Sequence, residues 1–533
     1  MDHTRTLLDV LAAHAAAEPK KTAFTFHEKA HCTFGDLWTN INRFAGFLIN
    51  KGLKPKDRVV IVLPNSSFFF TAFYGAQRAG GIAVPIYPGS GIERIVRLSK
   101  LCEAAFIIIS KNYSPSHSME LKTRAKDIPA SVCFVETSRC CGEKIIYPEV
   151  SLKDISYIQF TSGSMGNPKG VQLTHANLMT NIDQMIRGMK ISTTDIFVNW
   201  LPVYHDMGLI LMTMVPLYLG LGLVILPTGI LHIRNWLKSI QNYQGTFTAA
   251  PDFAYRLCLL YIKDPSNYDL SSLRVALNAA EPVRSSTITS FEKKFRLKNV
   301  MLPAYGLAEA SVGVCSWKPG RKVNTDSRGF VSVGSPFPKI RIKIMNNQGE
   351  AKTGEVGEIW VQSKSNTPGY YKNPKATREL LGEGDFIRTG DLGYRDAEGN
   401  YYIIGRMKNI IKQAGINIAA REVEELLDPI SFVRRSAALG IDRGRTQGEQ
   451  VYIFLEVNLK RSLWRQQEIL KEMTIEAVRR FKDTFGFTPG RVYLLKSRSI
   501  PMTYNGKIRY QELKDLYMGG HLRAGNLILF PEY

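Results

Sequence analysis

An α/β fold in two domains is what this sequence predicts, on three observations. The chain has 533 residues, more than one hydrophobic core organises, and its 44% hydrophobic content suits a folded rather than a disordered protein. Short apolar runs alternate with longer amphipathic stretches through the first two thirds, as βαβ units with mostly parallel sheets require. The texture then changes twice, near Gly334 and after Gly405.

The opening Met1 to Lys21 contains Asp2 and no basic segment leading into a long apolar run, so it reads as an amphipathic first helix rather than a signal peptide. RVVIVL (58 to 63), AFIIIS (105 to 110), VCFVE (132 to 136), SYIQF and GTFTAA (245 to 250) read as strands. Parallel strands covered on both faces are apolar without alternation. Between Asp206 and Arg234 no side chain is charged, and MGLILMTMVPLYLGLGLVIL is long enough to cross a bilayer. Gly208, Pro216, Gly220, Gly222 and Pro227 break it into a buried helix, a turn and a buried strand. From Gly334 onward RIKIMNNQGE, GEIWVQS and NYYIIGR are strands separated by turn signals, a β-rich subdomain closing the large domain. After Gly405 the order is helix, strand, strand, helix, strand, a small α+β domain. The expected boundaries are 1–405, a hinge at 406–409, and 410–533.

The net charge of +22 is spread along the chain; residues 407 to 533 hold 21 Lys and Arg against 14 Asp and Glu, with no basic tail. No basic arm, interleaved aromatics or zinc spacing accompanies it, which argues against a dedicated nucleic-acid binder. Seven cysteines without a C-x-x-C pair suit a reducing compartment, and the expectation is cytoplasmic, with at most peripheral membrane contact. The vicinal Cys140 and Cys141 read as a surface coincidence.

TSGSMGNPKG (161 to 170) follows the strand-like SYIQF and precedes the helix-like HANLMTNIDQMIRGM. Ligands of α/β folds bind at such strand ends. Glycines, Gly163 among them, let backbone N–H groups face an anion, while the hydroxyls of Thr161, Ser162 and Ser164 add donors and Lys169 adds charge. Phosphate is the natural guest. Pro168 before the lysine and Gly170-Val171 after it separate the loop from a G-K-[ST] phosphate loop.

With AYGLAEAS (304 to 311), TGDLGY (389 to 394), GRMKNIIK (405 to 412) and NGKI (505 to 508) following in order, the chain resembles the adenylate-forming superfamily of acyl-CoA synthetases, luciferases and nonribosomal adenylation domains. The resemblance implies that fold, with a mobile small domain, and the cofactors ATP and Mg²⁺. It makes Glu309 the Mg²⁺ ligand, a hard oxygen suited to that ion, and packs Tyr305, beside Gly306, on adenine. Asp391 then accepts from the ribose hydroxyls, and Arg406 donates to ribose or phosphate. Lys507 bridges the substrate carboxylate and the α-phosphate. The hinge would be Lys408-Asn409, where Asn409 replaces a commonly acidic residue. Without the resemblance, Glu309, Asp391 and Lys507 read equally as a helix carboxylate, a turn aspartate and a surface lysine.

WLPVYHDMGLI (200 to 210), FTAAPDFAYRLC (247 to 258), LSSLRVALNAAEPVR (270 to 284) and VPIYPG (84 to 89) look like fatty acyl-AMP ligases, which load an acyl carrier protein. By this resemblance His205 borders the acyl channel and counts as catalytic with Lys507 and Glu309. Asp206, Met207 and Phe253 line the acyl pocket, and Asn278, Ala279, Ala280 and Glu281 lie against adenine. His205 reads alternatively as a hydrogen-bonded core histidine. Two departures stand out: a short basic SWKPGRKVNTDSRG replaces the sizeable insertion many such ligases carry, and Met165 replaces a hydroxyl residue.

The implied reaction is ATP-dependent activation of a carboxylic acid, a fatty acid by resemblance, to an acyl-adenylate, followed by transfer to the thiol of an acyl carrier protein. Coenzyme A as acceptor and an inactive nucleotide- or lipid-binding homologue are the alternatives. A basic surface suits an acidic carrier protein through steered encounter.

Overall fold

The computed structural model describes residues 4–26, 30–110, 123, 130–137, 145–161, 168–229, 232–413, 416–442, 449–457, 467–502, 508–523 and 527–529. Ser162, Gly163, Ser164, Met165, Lys507 and the Cys140-Cys141 pair lie outside the described residues. The chain forms two compact units: the first comprises Met1–Val323, Val333–Lys343 and Trp360–Thr389, the second Asn324–Ser332, Ile344–Ile359 and Gly390–Tyr533.

The first unit is built on two sheets whose strands match the apolar runs. In one, Met301–Tyr305, Val275–Asn278, Phe247–Ala250, Phe197–Asn199, Leu223–Ile225 and Thr22–Phe26 lie side by side and parallel. Antiparallel strands Cys315–Ser316 and Ala30–Thr33 pair with its two ends. In the other, the order is Ser131–Phe134, Ala104–Ile109, Arg58–Ile61, Ile82–Pro85, Ile155–Thr161, Lys169–Thr174, parallel except for the last pair. Helices cover these strands, so Val59, Val60, Ile61, Ile107 and Ile108 are all fully buried, as unalternating apolar runs demand.

Large aromatics fill the interior, and the polar tips of Trp200, Trp236 and Tyr255 are paired, whereas the buried hydroxyls of Tyr74 and Tyr157 have no partner among the described residues. Trp200 and Trp236 stack at 4.9 Å. Their indoles donate to Ala249 O (3.1 Å) and Thr248 Oγ1 (2.8 Å), while the Tyr255 hydroxyl donates to Leu277 O at 2.8 Å. Pairing of this kind lets a large amphipathic ring be buried at no cost in unsatisfied donors.

The uncharged stretch after Asp206 becomes a π-helix at Met207–Met214, a helical turn at Val215–Tyr218 and a strand at Leu223–Ile225, as its glycines and prolines indicate. Among the described residues no helix is long and apolar enough to cross a membrane. The glycine-rich loop differs from the strand-to-helix reading. It joins two antiparallel strands, closing on the pair Thr161–Lys169, and the helix begins only at His175. The reason lies in KGVQLT: Val171 and Leu173 are buried on the sheet, and Thr174 caps the helix through a reciprocal bond with Asn177.

In the second unit, a four-stranded sheet orders Val433–Asp442, Glu449–Val457, Arg491–Leu495 and Leu527–Leu529. Helices Ala420–Leu427 and Gln467–Phe485 bury Val423, Leu427, Met473, Ala477 and Phe481 against Ile453, Leu455 and Leu494. A hairpin of Phe386–Arg395 with Tyr401–Arg406 carries the TGDLGY and Gly-Arg motifs, and Met407–Asn409 follows as one 3₁₀ turn.

One buried group gives the first unit a pH signature. His175 is 3% exposed, and burial pushes its pKa down to about 4 against the pull of Asp154 and Asp9. A depressed folded value means that the unfolded chain binds the proton more readily, so stability is full above the unfolded pKa and falls as pH drops toward 4. Chemical denaturation is expected to show a loss of order 3 kcal/mol between about pH 6.5 and pH 4, and His175→Gln should flatten that interval.

Candidate active site

The hairpin Ile155–Thr161 and Lys169–Thr174 brings Lys169 to a sheet end, where the Thr161 hydroxyl donates to Lys169 O at 3.4 Å. The Lys169 ammonium lies 4.8 Å from the ring centre of Tyr370. The Tyr370 hydroxyl in turn donates to Glu309 Oε1 at 2.8 Å. Two of the predicted residues, 140 positions apart in sequence, thus share one phenol.

Glu309 stands in a 3₁₀ turn, Ala308–Ala310, after the strand Met301–Tyr305. The turn is held from several sides: Thr367 N donates to Glu309 O at 2.8 Å and the Ser311 hydroxyl to Ser365 O at 2.8 Å. Fully buried Asn181 takes Val312 N (3.2 Å) and Gly313 N (2.9 Å) on its Oδ1 and donates to Gly313 O at 2.8 Å. The chain folds back so tightly that a Cβ on Gly306 would lie 1.6 Å from Val312 O, so only glycine fits beside Tyr305. Half-buried Glu309 brings one carboxylate to this place, and among the described residues no group of three or more His, Cys, Asp and Glu gathers. That donor set fits Mg²⁺, which is commonly held by one or two carboxylates with substrate phosphates and water.

Asn278 ends the central strand Val275–Asn278, and its amide donates to Asp252 Oδ1 at 3.0 Å. Asp252 is fully buried and also takes Arg284 N and Nη1, each at 3.2 Å, and the Thr287 hydroxyl at 3.1 Å. Asn278 Oδ1 is buried without a hydrogen-bond partner. Ala280 sits at φ 69°, a left-handed conformation that an L-residue adopts at a cost, and it turns Glu281 back so that its carboxylate accepts from Phe253 N. The four residues Asn278 to Glu281 therefore form one rigid corner together with Phe253.

His205 Nδ1 lies 2.6 Å from Asp206 Oδ1, which also accepts Met207 N at 2.7 Å. This geometry directs an Nδ1–H of the ring to Asp206 and fixes the ring orientation. Asn65 pins the preceding loop, donating to Leu201 O (2.8 Å) and Leu226 O (3.0 Å) and accepting Val203 N (3.0 Å). Asn199 donates to Gly208 O at 3.2 Å, where the Thr213 hydroxyl also donates at 2.8 Å, stabilising the wider turns of the π-helix. Such π segments recur at functional sites.

In the second unit, Asp391 and Arg406 are directly opposite each other in the hairpin, and Arg406 Nε meets Asp391 Oδ1 at 2.7 Å. Asp391 is buried while Arg406 is half exposed, so the carboxylate is fixed and the guanidinium reaches outward. Gly390 N donates to Glu358 Oε1 at 3.1 Å and holds the strand bend. Exposed Lys408 and half-buried Asn409 occupy the following turn.

Four supporting residues escaped the sequence reading: Tyr370, Asp252, Asn181 and Asn65. Asp252 and Tyr370 carried some signal, the first as an acid after Pro251 at a helix start, the second in an aromatic pair after the turn Pro368-Gly369. Nothing local distinguishes Asn65 or Asn181 from surface amides. Replacing Asp252 with alanine strands buried donors of Asn278, Arg284 and Thr287, and is expected to cost about 3 kcal/mol in urea denaturation; Phe253→Leu, which keeps that network, should cost no more than about 1.5 kcal/mol.

Known proteins resemble this chain in sequence and in fold. The family model described as AMP-binding enzyme matches residues 11–371. A medium-chain-fatty-acid–[acyl-carrier-protein] ligase, TtuA of Teredinibacter turnerae, is 27% identical over 96% of this chain and 93% of its own length. The long-chain-fatty-acid–AMP ligase FadD23 of Mycobacterium tuberculosis is 29% identical over 86% of each chain. A solved structure from among the fatty acyl-adenylate ligases of E. coli and L. pneumophila superposes with a TM-score of 0.85 at 27% identity, over 97% of this chain and 98% of that one. On the family match and the geometry together, this chain belongs to the AMP-binding enzyme family.

Proposed function

We propose that the protein activates a fatty acid with ATP and Mg²⁺ to an acyl-adenylate and passes the acyl group to the phosphopantetheine thiol of an acyl carrier protein. The observation that carries this reading is the grouping of Lys169 and Glu309 on Tyr370, a cation for phosphate and a hard oxygen for a metal held by one residue. The carrier-protein acceptor and the fatty acid rest on similarity to TtuA and to the fatty acyl-AMP ligases.

In this reading a carboxylate oxygen attacks the α-phosphorus, a new P–O bond forms, and the bond to the β-phosphate breaks to release pyrophosphate. Lys169, with Thr161, Ser162, Gly163 and Ser164, takes the outer phosphates. Glu309 would hold Mg²⁺, which when bound would supply Lewis-acid charge to the triphosphate. Tyr305 and Gly306 face adenine, with the corner Asn278 to Glu281 beside it. Asp391 accepts from the ribose hydroxyls, held in place by its contact with Arg406. Arg406 adds charge toward ribose or phosphate, and Lys507 bridges the substrate carboxylate and α-phosphate. His205, Asp206, Met207 and Phe253 border the acyl chain. Residues 1–405 and 410–533 act as large and small domains turning about Lys408-Asn409 between adenylation and thiol transfer.

Lys169→Met removes a cation from the departing pyrophosphate, and adenylate formation followed by mass spectrometry is expected to slow about a hundredfold. The acceptor is tested by offering holo acyl carrier protein and coenzyme A in parallel with ATP, Mg²⁺ and fatty acids of graded length. Acyl carrier product without acyl-CoA is expected. Acyl-CoA as the main product would make coenzyme A the acceptor, and adenylate without either product would remove the transfer step.

A further inference from the structure

Lys169 and Glu309 carry opposite charges, yet among the described residues they form no direct ion pair. Tyr370 stands between them. Its ring face carries the ammonium at 4.8 Å, and its hydroxyl donates to Glu309 Oε1 at 2.8 Å. The ring is 7% exposed and its backbone is tied down: Tyr370 N donates to Thr377 Oγ1 at 3.0 Å, and Tyr370 bridges Val171, two residues from Lys169. Thr367, three residues earlier, donates its N–H to Glu309 O at 2.8 Å and its hydroxyl to Gln172 O at 2.6 Å. One short segment is therefore bonded both to the strand bearing Lys169 and to the turn bearing Glu309.

A lysine paired with a carboxylate must break that pair before it meets a phosphate, and partial burial makes such a pair tighter. A phenol satisfies both charges without joining them. The ring quadrupole attracts the cation without using any of its three N–H donors, and the hydroxyl occupies only one carboxylate oxygen.

We propose that Tyr370 is a positioning residue, a neutral spacer that keeps Lys169 and Glu309 apart so that the lysine stays open to phosphate and the carboxylate to its metal. This rests on the reading of Lys169 as a phosphate ligand.

The test is calorimetric binding of inorganic pyrophosphate to the full-length protein without added metal, so that the metal role of Glu309 does not enter. Wild type, Tyr370→Phe, Tyr370→Leu and Tyr370→Leu combined with Glu309→Gln are compared, with thermal unfolding as the folding check. Tyr370→Leu lets the ammonium fall onto Glu309 and is expected to weaken binding about tenfold. Adding Glu309→Gln removes the captor and should restore affinity to within about threefold of wild type. Tyr370→Phe retains the ring, is the variant least liable to misfold, and should stay within about threefold of wild type. The spacer is overturned if Tyr370→Leu binds like wild type, if Glu309→Gln gives no recovery, or if Tyr370→Phe alone loses tenfold. Absence of pyrophosphate binding in wild type would instead overturn the phosphate reading, and the spacer with it.

Discussion

Parallel strands buried on both faces present functional side chains only from their ends, and the loops that leave those ends must be held by buried polar groups. This constraint organises the first unit. Asn181 pins the loop after Glu309, Asn65 pins the loop before His205, and Asp252 pins the corner at Asn278. Each of these side chains satisfies several main-chain or side-chain groups at once, so a single substitution releases a whole loop. The amides are as much a part of the site as the charges they position.

The charged groups themselves are arranged to avoid mutual neutralisation in one place and to use it in another. Lys169 and Glu309 are separated by a phenol. Asp391 and Arg406 are joined at 2.7 Å across a hairpin. The difference suits the proposed tasks: a phosphate and its metal each need an unpaired charge, whereas a ribose needs a carboxylate held in one orientation. An exposed guanidinium thus fixes the orientation of a buried carboxylate.

The α/β class, the strand runs and the broken apolar segment after Asp206 were legible because burial on both faces leaves a compositional trace. Asp391 and Arg406 were legible only as members of motifs; their pairing depends on hairpin register, which no local pattern encodes. The glycine-rich loop reads as leading into a helix, and the strand Lys169–Thr174 is hard to see in sequence because KGVQLT is short and its alternation follows a proline and a glycine. The partners of Tyr370, which has only a faint local signal, and of Asn181, which has none, are hidden for a different reason. They lie 61 and 132 positions away, respectively, and only the folded chain brings them together.

The proposed function requires that Lys169 and Glu309 serve the joining of a carboxylate to the α-phosphate of ATP. Its most direct measurement is exchange of labelled pyrophosphate into ATP by the purified protein with and without a fatty acid. The account predicts exchange that depends on both Mg²⁺ and the acid; ATP binding with no acid-dependent exchange across short, medium and long chains would contradict it.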